Sequence, residues 1–217
     1  MVEHVYRRAA ACAAVTRVIV ATDDPRIVQA VRLFDGEVRL TRTDHRTGTD
    51  RLAEVARTLD CDVVVNVQGD EPLIDPEAIS AVVAPFSADP SLLMTTLYHP
   101  FHDPGELADP NVVKIVLDRH EFALYFSRAA IPYVRDPSAG WPAFHKHVGV
   151  YAYRRSALLL LASLEPTPLE RAESLEQLRA LEHGIRIRAV ETRYDATSVD
   201  TPEDLERVRR LLAAPTT

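Results

Sequence analysis

Residues 63 to 75 read V-V-V-N-V-Q-G-D-E-P-L-I-D. Val63 to Val67 is apolar enough for a buried strand, and the run ends within a few residues at a Gln, a Gly, two acids and a Pro. A short apolar run bounded by such breakers reads as a core strand. Gly69 lets the backbone turn sharply, and Pro72 stops further pairing. In open α/β sheets, ligands bind beyond the carboxyl ends of the strands. Gln68, Gly69, Asp70 and Glu71 fall there. Adjacent carboxylates repel unless a cation or hydrogen bonds offset them. Mg²⁺ takes one or two carboxylates and shares its other positions with water and phosphate oxygens. Asp70 therefore reads either as a metal ligand beside a nucleotide or as part of a solvated acidic turn.

Outward from this stretch, strand and helix patterns alternate. Upstream, residues 2–14 read as a helix, 17–21 as a strand, and 37–40 as another. Asp24-Pro25 suits an N-cap and first helical position, followed by the stripe Ile27, Val28, Val31 and Phe34. Downstream, Asp75-Pro76 opens a helix through Val83, and 92–98 and 112–117 read as strands. Phe122, Leu124 and Phe126 alternate as on a half-buried strand. Val148 to Tyr153 is a strand and Ser156 to Leu164 a helix. Leu169, Ala172, Leu175, Leu178 and Leu181 form one helical stripe, stopped by Gly184. Ile185, Ile187 and Ala189 share one face of a strand. A final helix opens T-P-E-D at Thr201, with Pro at the first helical position and acids in the first turn. Alternation of this kind implies an α/β fold with a mostly parallel sheet. The stretch 100–147 departs from it and reads as an inserted hairpin region or an oligomer surface within a single domain, 1–217.

The chain has 217 residues and a net charge of −7, which argues against general nucleic-acid binding. Lys114 and Lys146 are the only lysines, so arginines must hold any anionic ligand. Cys12 and Cys61 lack metal-type spacing and read as buried free thiols of a reducing cytoplasm. No stretch is long and apolar enough for a membrane helix, and the first residues carry no signal-peptide pattern.

Three further features bear on chemistry. Asp200, in S-V-D-T-P-E-D-L, reads as a helix entry or as a second metal-binding acid. Thr47, Gly48, Thr49 and Arg51 lead into a helix N-terminus, where free amides suit an anion or a base edge; the alternative is a polar turn with Thr47 as N-cap. His145 and His147 form H-x-H, and His99 and His102 form H-x-x-H. Neither is a zinc pattern, and both read as structural or surface histidines. There is no G-x-x-x-x-G-K-[ST], G-x-G-x-x-G or G-x-S-x-G.

Together the motifs V-A-T-D-D, T-D-H-R-T-G-T-D-R-L-A-E, V-N-V-Q-G-D-E-P, P-N-V-V-K-I-V-L-D, A-L-Y-F-S-R-A-A-I-P, H-V-G-V-Y-A-Y-R, T-P-L-E-R-A-E-S-L-E-Q-L-R and V-D-T-P-E-D-L-E-R-V run through the chain in this order. The set resembles the 3-deoxy-manno-octulosonate cytidylyltransferases, the CMP-Kdo synthetases. The resemblance implies a three-layer, Rossmann-like nucleotidyltransferase fold. It implies transfer of CMP from CTP to Kdo with release of pyrophosphate, for lipopolysaccharide assembly, in a cytoplasmic homodimer. By this resemblance Asp70 and Asp200 are catalytic and hold Mg²⁺, and Gln68 lies beside the nucleotide. Thr47, Gly48, Thr49 and Arg51 recognise cytosine and ribose, while Arg128, His147, Tyr151, Glu176 and Gln177 line the sugar site. Arg128 suits the sugar carboxylate, because a guanidinium fork binds bidentately.

The family opens with a strand and a loop of the type P-A-R-x-x-S-x-R-L-P-G-K-P-L that wraps the CTP phosphates. This chain opens at M-V-E-H-V-Y-R-R-A, which resembles the helix after that loop. The resemblance thus implies a phosphate-gripping segment of about 25 to 35 residues upstream of Met1, the scale of one βα unit. Two other readings stay open: a cytidylyltransferase for a related acidic sugar (an amino-Kdo or a sialic acid), and an inactive binding homologue.

Overall fold

The computed structural model describes residues 1–101, 104–136, 138, 144–196, 198, 199 and 201–213. The first half of the chain runs α1 (Val2–Ala10), β1 (Val20–Thr22), α2 (Pro25–Arg32), β2 (Val38–Leu40), α3 (Gly48–Ala56), β3 (Val63–Asn66), α4 (Pro76–Val83), α5 (Pro85–Ala88) and β4 (Met94–Pro100). After a short 3-10 turn, Pro104–Ala108, come β5 (Lys114–Leu117), β6 (Ala123–Ser127), β7 (His145–Arg154), α6 (Arg155–Leu161), α7 (Pro168–Glu173), α8 (Gln177–Glu182), β8 (Ile187–Glu191) and α9 (Pro202–Ala213). No helix of the described residues is long and apolar enough to cross a membrane.

Local chemistry sets the helix starts. The Asp24 side chain accepts from Arg26 N at 2.8 Å and Asp75 from Glu77 N at 2.9 Å, each ahead of a first-turn proline. Such caps satisfy amides that have no intrahelical partner. The first helix ends at Ala10 rather than at residue 14, because Cys12 turns inward; its Sγ lies 3.1 Å from Ser80 Oγ on α4.

The expected mixed α/β architecture is found, and the long strand β7 organises it. β7 runs antiparallel to β4, β3 and β5, and β5 antiparallel to β6. Parallel pairing joins β4 to β8, and β1 to β2 in a separate two-stranded sheet. Antiparallel pairing thus has a larger share than strict alternation suggests, because the segment before β7 inserts the β5–β6 hairpin and reverses the chain. Helices cover both faces. On one face Val5 and Ala9 of α1 and Ile79 and Val82 of α4 pack with Leu97, Val148, Val150 and Ala152 of the sheet. On the other, Ala53 and Ala56 of α3, Leu158 and Leu161 of α6 and Leu178 of α8 pack with Met94, Tyr151, Tyr153 and Ile187. Ile79, Leu158 and Ile187 are fully buried, each stabilising the fold by about 1.5–3 kcal/mol.

Two expectations fail locally. Leu124 does not face the core: it is 61% exposed. Tyr125 pairs with Val116 and Ala123 with Leu117, so Leu124 is an extra, bulged residue that breaks the alternation. The stripe from Leu169 to Leu181 is not one helix either. Ser174 sits at φ 52° and separates α7 from α8, leaving Leu169 and Ala172 exposed. The break is fixed from outside, since the Glu173 carboxylate accepts from Ser127 Oγ at 2.7 Å and from Arg128 N at 2.9 Å.

Candidate active site

A cleft opens where β3 and β5 part from one edge of β7. Pairing with β3 ends at Asn66 opposite Tyr151, and pairing with β5 covers only His145 and Lys146. Between them His147 N donates to Val113 O at 2.8 Å. On the other edge the β4 register slips: Thr96 faces Tyr151 but Leu97 faces Val148, which leaves Gly149 and Val150 over. Bulges of this kind re-aim side chains. The result is a cleft of about 300 Å³ whose walls include Gly48, Thr49, Asn66, Gln68, His147, Gly149, Tyr151, Tyr153, Glu176 and Gln177. Another hollow, of about 410 Å³ beside Leu92 and Phe122, contains none of the expected site residues; there Arg188 and Glu121 pair with each other.

One wall is the start of α3. Thr47 Oγ1 accepts from Asp50 N at 3.2 Å and caps the helix, which leaves Gly48 and Thr49 at the cleft. The facing wall is the α7–α8 break. The left-handed Ser174 turns Glu176 and Gln177 toward the cleft instead of along a continuous helix. Behind it, the buried pair Arg179–Glu170 (2.5 Å) ties α8 to α7. Thr49 Oγ1 donates to Glu176 Oε2 at 2.6 Å and joins the two walls.

The floor is aromatic and neutral. His147 Nε2 lies 2.9 Å from Thr96 Oγ1, with the ring edge-on to Phe126 and tilted against Tyr151. Burial pushes its pKa down to about 3, so the imidazole is uncharged at neutral pH. Burial also raises the Tyr151 phenol, as do Tyr153 and Glu176. Glu176 is the only carboxylate among the lining residues.

Asp70 stands at the turn after β3. Val199 N donates to Asp70 O at 3.0 Å, so the segment leading to Asp200 meets this turn. Asp200 itself lies outside the described residues, as does His102 of the H-x-x-H pair. Among the described residues no group of three or more His, Cys, Asp or Glu could hold a metal ion. A donor set of one or two carboxylates fits Mg²⁺ completed by water and phosphate oxygens.

Besides Thr47 and Asp70, the expected residues Arg51 and Arg128 are not among the cleft walls. Arg51 donates to Thr41 Oγ1 at 2.6 Å and pairs with Asp23 at 3.2 Å, bracing α3 against the loops after β1 and β2. The Arg128 guanidinium donates to Glu173 O at 2.8 Å and Pro110 O at 2.9 Å, so two of its donors serve backbone carbonyls.

A family model described as "Cytidylyltransferase" matches residues 1–187. The chain is 55% identical over 214 residues to the 3-deoxy-manno-octulosonate cytidylyltransferase of Solibacter usitatus, covering 99% of this chain and 84% of that protein. It is 56% identical over 215 residues to the enzyme of that name from Syntrophotalea carbinolica, covering 96% and 86%. The chain belongs to the cytidylyltransferase family. Among solved structures, a CMP:2-keto-3-deoxy-manno-octonic acid synthetase complexed with CTP superposes with a TM-score of 0.92 at 46% identity, covering 98% of this chain and 87% of that one.

Some features of this cytidylyltransferase site carry no signature in the sequence. Asn66 and Tyr153 line the cleft through simple alternation, two residues from Gln68 and Tyr151. Lys114 is fully buried, and its Nζ donates to Asp109 O, Val112 O and Arg128 O at 2.8, 2.7 and 2.6 Å. Its ammonium pins the turn 109–112 to Arg128 beside Val113.

Proposed function

We propose that the protein transfers CMP from CTP to 3-deoxy-manno-octulosonate (Kdo) and releases pyrophosphate. The observation that carries this reading is the identity of about half of all residues to cytidylyltransferases of that name across nearly the whole chain. In the proposed reaction the anomeric hydroxyl of the sugar attacks the α-phosphorus and loses its proton. The new sugar–phosphate bond forms as the α–β phosphoanhydride bond breaks.

Thr47, Gly48, Thr49 and Gln68 are assigned to the nucleotide, with Arg51 bracing that wall. His147, Tyr151, Glu176 and Gln177 are assigned to the sugar, where Glu176 accepts from hydroxyls and Gln177 both accepts and donates. Arg128 is assigned to the sugar carboxylate, for which it must exchange a backbone carbonyl for the substrate. Asp70 and Asp200 are assigned to Mg²⁺, which when bound offsets charge on the phosphates. The contact between Val199 and Asp70 supports a shared role for the two acids.

The working unit is proposed to be a cytoplasmic homodimer with 100–147 as its contact. The exposure of Leu124 (61%) and Tyr133 (88%) in that stretch supports it, and light scattering in solution tests it.

The functional test is a pyrophosphate-release assay with CTP, Kdo and Mg²⁺, with the product identified by mass. Release that requires both substrates is expected. No CMP-Kdo, or transfer only to another acidic sugar, overturns the reading.

A further inference from the structure

Asn66 and Tyr151 are register partners across β3 and β7. Such partners project on one face, with Cβ atoms about 4.5–5.5 Å apart. Both line the cleft, and both are only 8% exposed. Their polar groups are nonetheless without partners. The Tyr151 hydroxyl is buried and makes no hydrogen bond among the described residues. The Thr96 hydroxyl near it bonds His147 Nε2 at 2.9 Å and Val150 O at 3.1 Å. The Asn66 carboxamide likewise makes no side-chain hydrogen bond among the described residues.

Buried polar groups are almost always satisfied, and an exception needs a reason. The Tyr151 hydroxyl is such an exception, and with the Asn66 carboxamide, which opens to the cleft beside it, it points to a ligand. A hydroxyl can donate to the Asn66 carbonyl and accept from the Tyr151 O–H, satisfying both at once. An oxyanion fits poorly, because no Lys or Arg lines the cleft and the one charged lining group is the Glu176 carboxylate.

We propose that Asn66 and Tyr151 together form a subsite for one neutral hydroxyl of a bound substrate, with Asn66 as a specificity-determining residue. The inference rests on the reading of this cleft as the substrate site and adds to it a residue and the group that residue selects. The hydroxyl belongs either to the ribose of the nucleotide or to the acceptor sugar. A site built to bond a hydroxyl strongly rejects the analogue that lacks it, because its own polar atoms are then left unpaired.

The test compares wild type, Asn66→Leu and Tyr151→Phe by calorimetric titration with CTP, 2′-deoxy-CTP, 3′-deoxy-CTP and Kdo, alongside thermal melts. Tyr151→Phe removes an atom that makes no internal bond, so its melting temperature should equal or exceed that of wild type. Both variants should bind one substrate about tenfold more weakly or worse. Loss confined to CTP, and matched by a ribose-deoxy analogue that no longer distinguishes wild type from variants, assigns the ribose. Loss confined to Kdo assigns the sugar. Unchanged affinity for both substrates in Tyr151→Phe overturns the subsite, as does a wild type that binds neither. Failure of wild type to form CMP-Kdo overturns the functional reading alone, because the titrations still decide the subsite.

Discussion

Thr49 Oγ1 donates to Glu176 Oε2 at 2.6 Å across 127 positions of sequence. The bond joins the start of α3 to the start of α8 at the mouth of the cleft. The two walls assigned to different substrates are thereby fixed relative to each other. In-line transfer depends on such positioning, since small misplacements of reacting groups are costly.

Thr49→Val tests this link. Thr49 is buried, at 5% exposure, and the change keeps its shape while leaving Glu176 without this donor. A hydrogen bond to a charged group contributes about 1.5–3 kcal/mol, so urea unfolding should register a loss of that size. Turnover with CTP and Kdo should fall about tenfold or more. Wild-type kcat/KM in the variant would show that the walls need no such tie.

Asp70→Asn should reduce pyrophosphate release by about 10²-fold or more, because a ligand offsetting phosphate charge acts directly on the transition state. Its fold should survive, since the contact with Val199 uses the Asp70 backbone carbonyl, which the substitution keeps. A magnesium titration separates the outcomes. A right-shifted or absent metal response supports the assignment, and full activity at the wild-type magnesium dependence removes Asp70 from the metal site.

The sequence was most legible where local chemistry decides. Asp24-Pro25 and Asp75-Pro76 begin their helices where the capping rules put them. Gly48, Thr49, Gln68, His147, Tyr151, Glu176 and Gln177, picked from motifs scattered over the chain, line one cleft. It was least legible where distant contacts override the local pattern. The Leu169–Leu181 stripe has helical period, but Ser127 and Arg128 hold Glu173 and the chain turns at Ser174. The alternation through Leu124 was broken by a register slip whose partner, Val116, lies in another strand. Lys114 lies within the apolar run V-V-K-I-V-L, and no local rule shows that carbonyls from the 109–112 turn and from Arg128 converge on it.

His147 predicts a stability profile. Burial holds its folded pKa at about 3, against 6.5 for the free side chain. Between those values the unfolded chain binds a proton that the folded chain excludes. Stability therefore rises with pH through this window: the contribution is fully present above about 6.5 and is lost as pH falls toward 3. His147→Gln should flatten the profile, so the drop in urea midpoint from pH 7.5 to pH 5 should be smaller than in wild type. An equal drop in both would place the acid sensitivity elsewhere.

Lys114→Met gives the sharpest test of the scaffold beneath the site. The side chain is fully buried, and its three donors all go to backbone carbonyls. Methionine fills similar space but leaves Asp109 O, Val112 O and Arg128 O without that donor. Asp109 O still accepts from Val112 N at 3.2 Å; the other two acceptors cost about 1–3 kcal/mol each when unsatisfied, so the variant should lose at least about 2 kcal/mol. For a chain of this size that is a fall of about 4 °C or more in Tm. Burial also lowers the lysine's pKa, so part of the loss is offset by no longer burying a charge. A Tm within a degree or two of wild type would show that the desolvation cost cancels the three bonds. The loops around Val113 and Arg128 would then be held by the sheet alone.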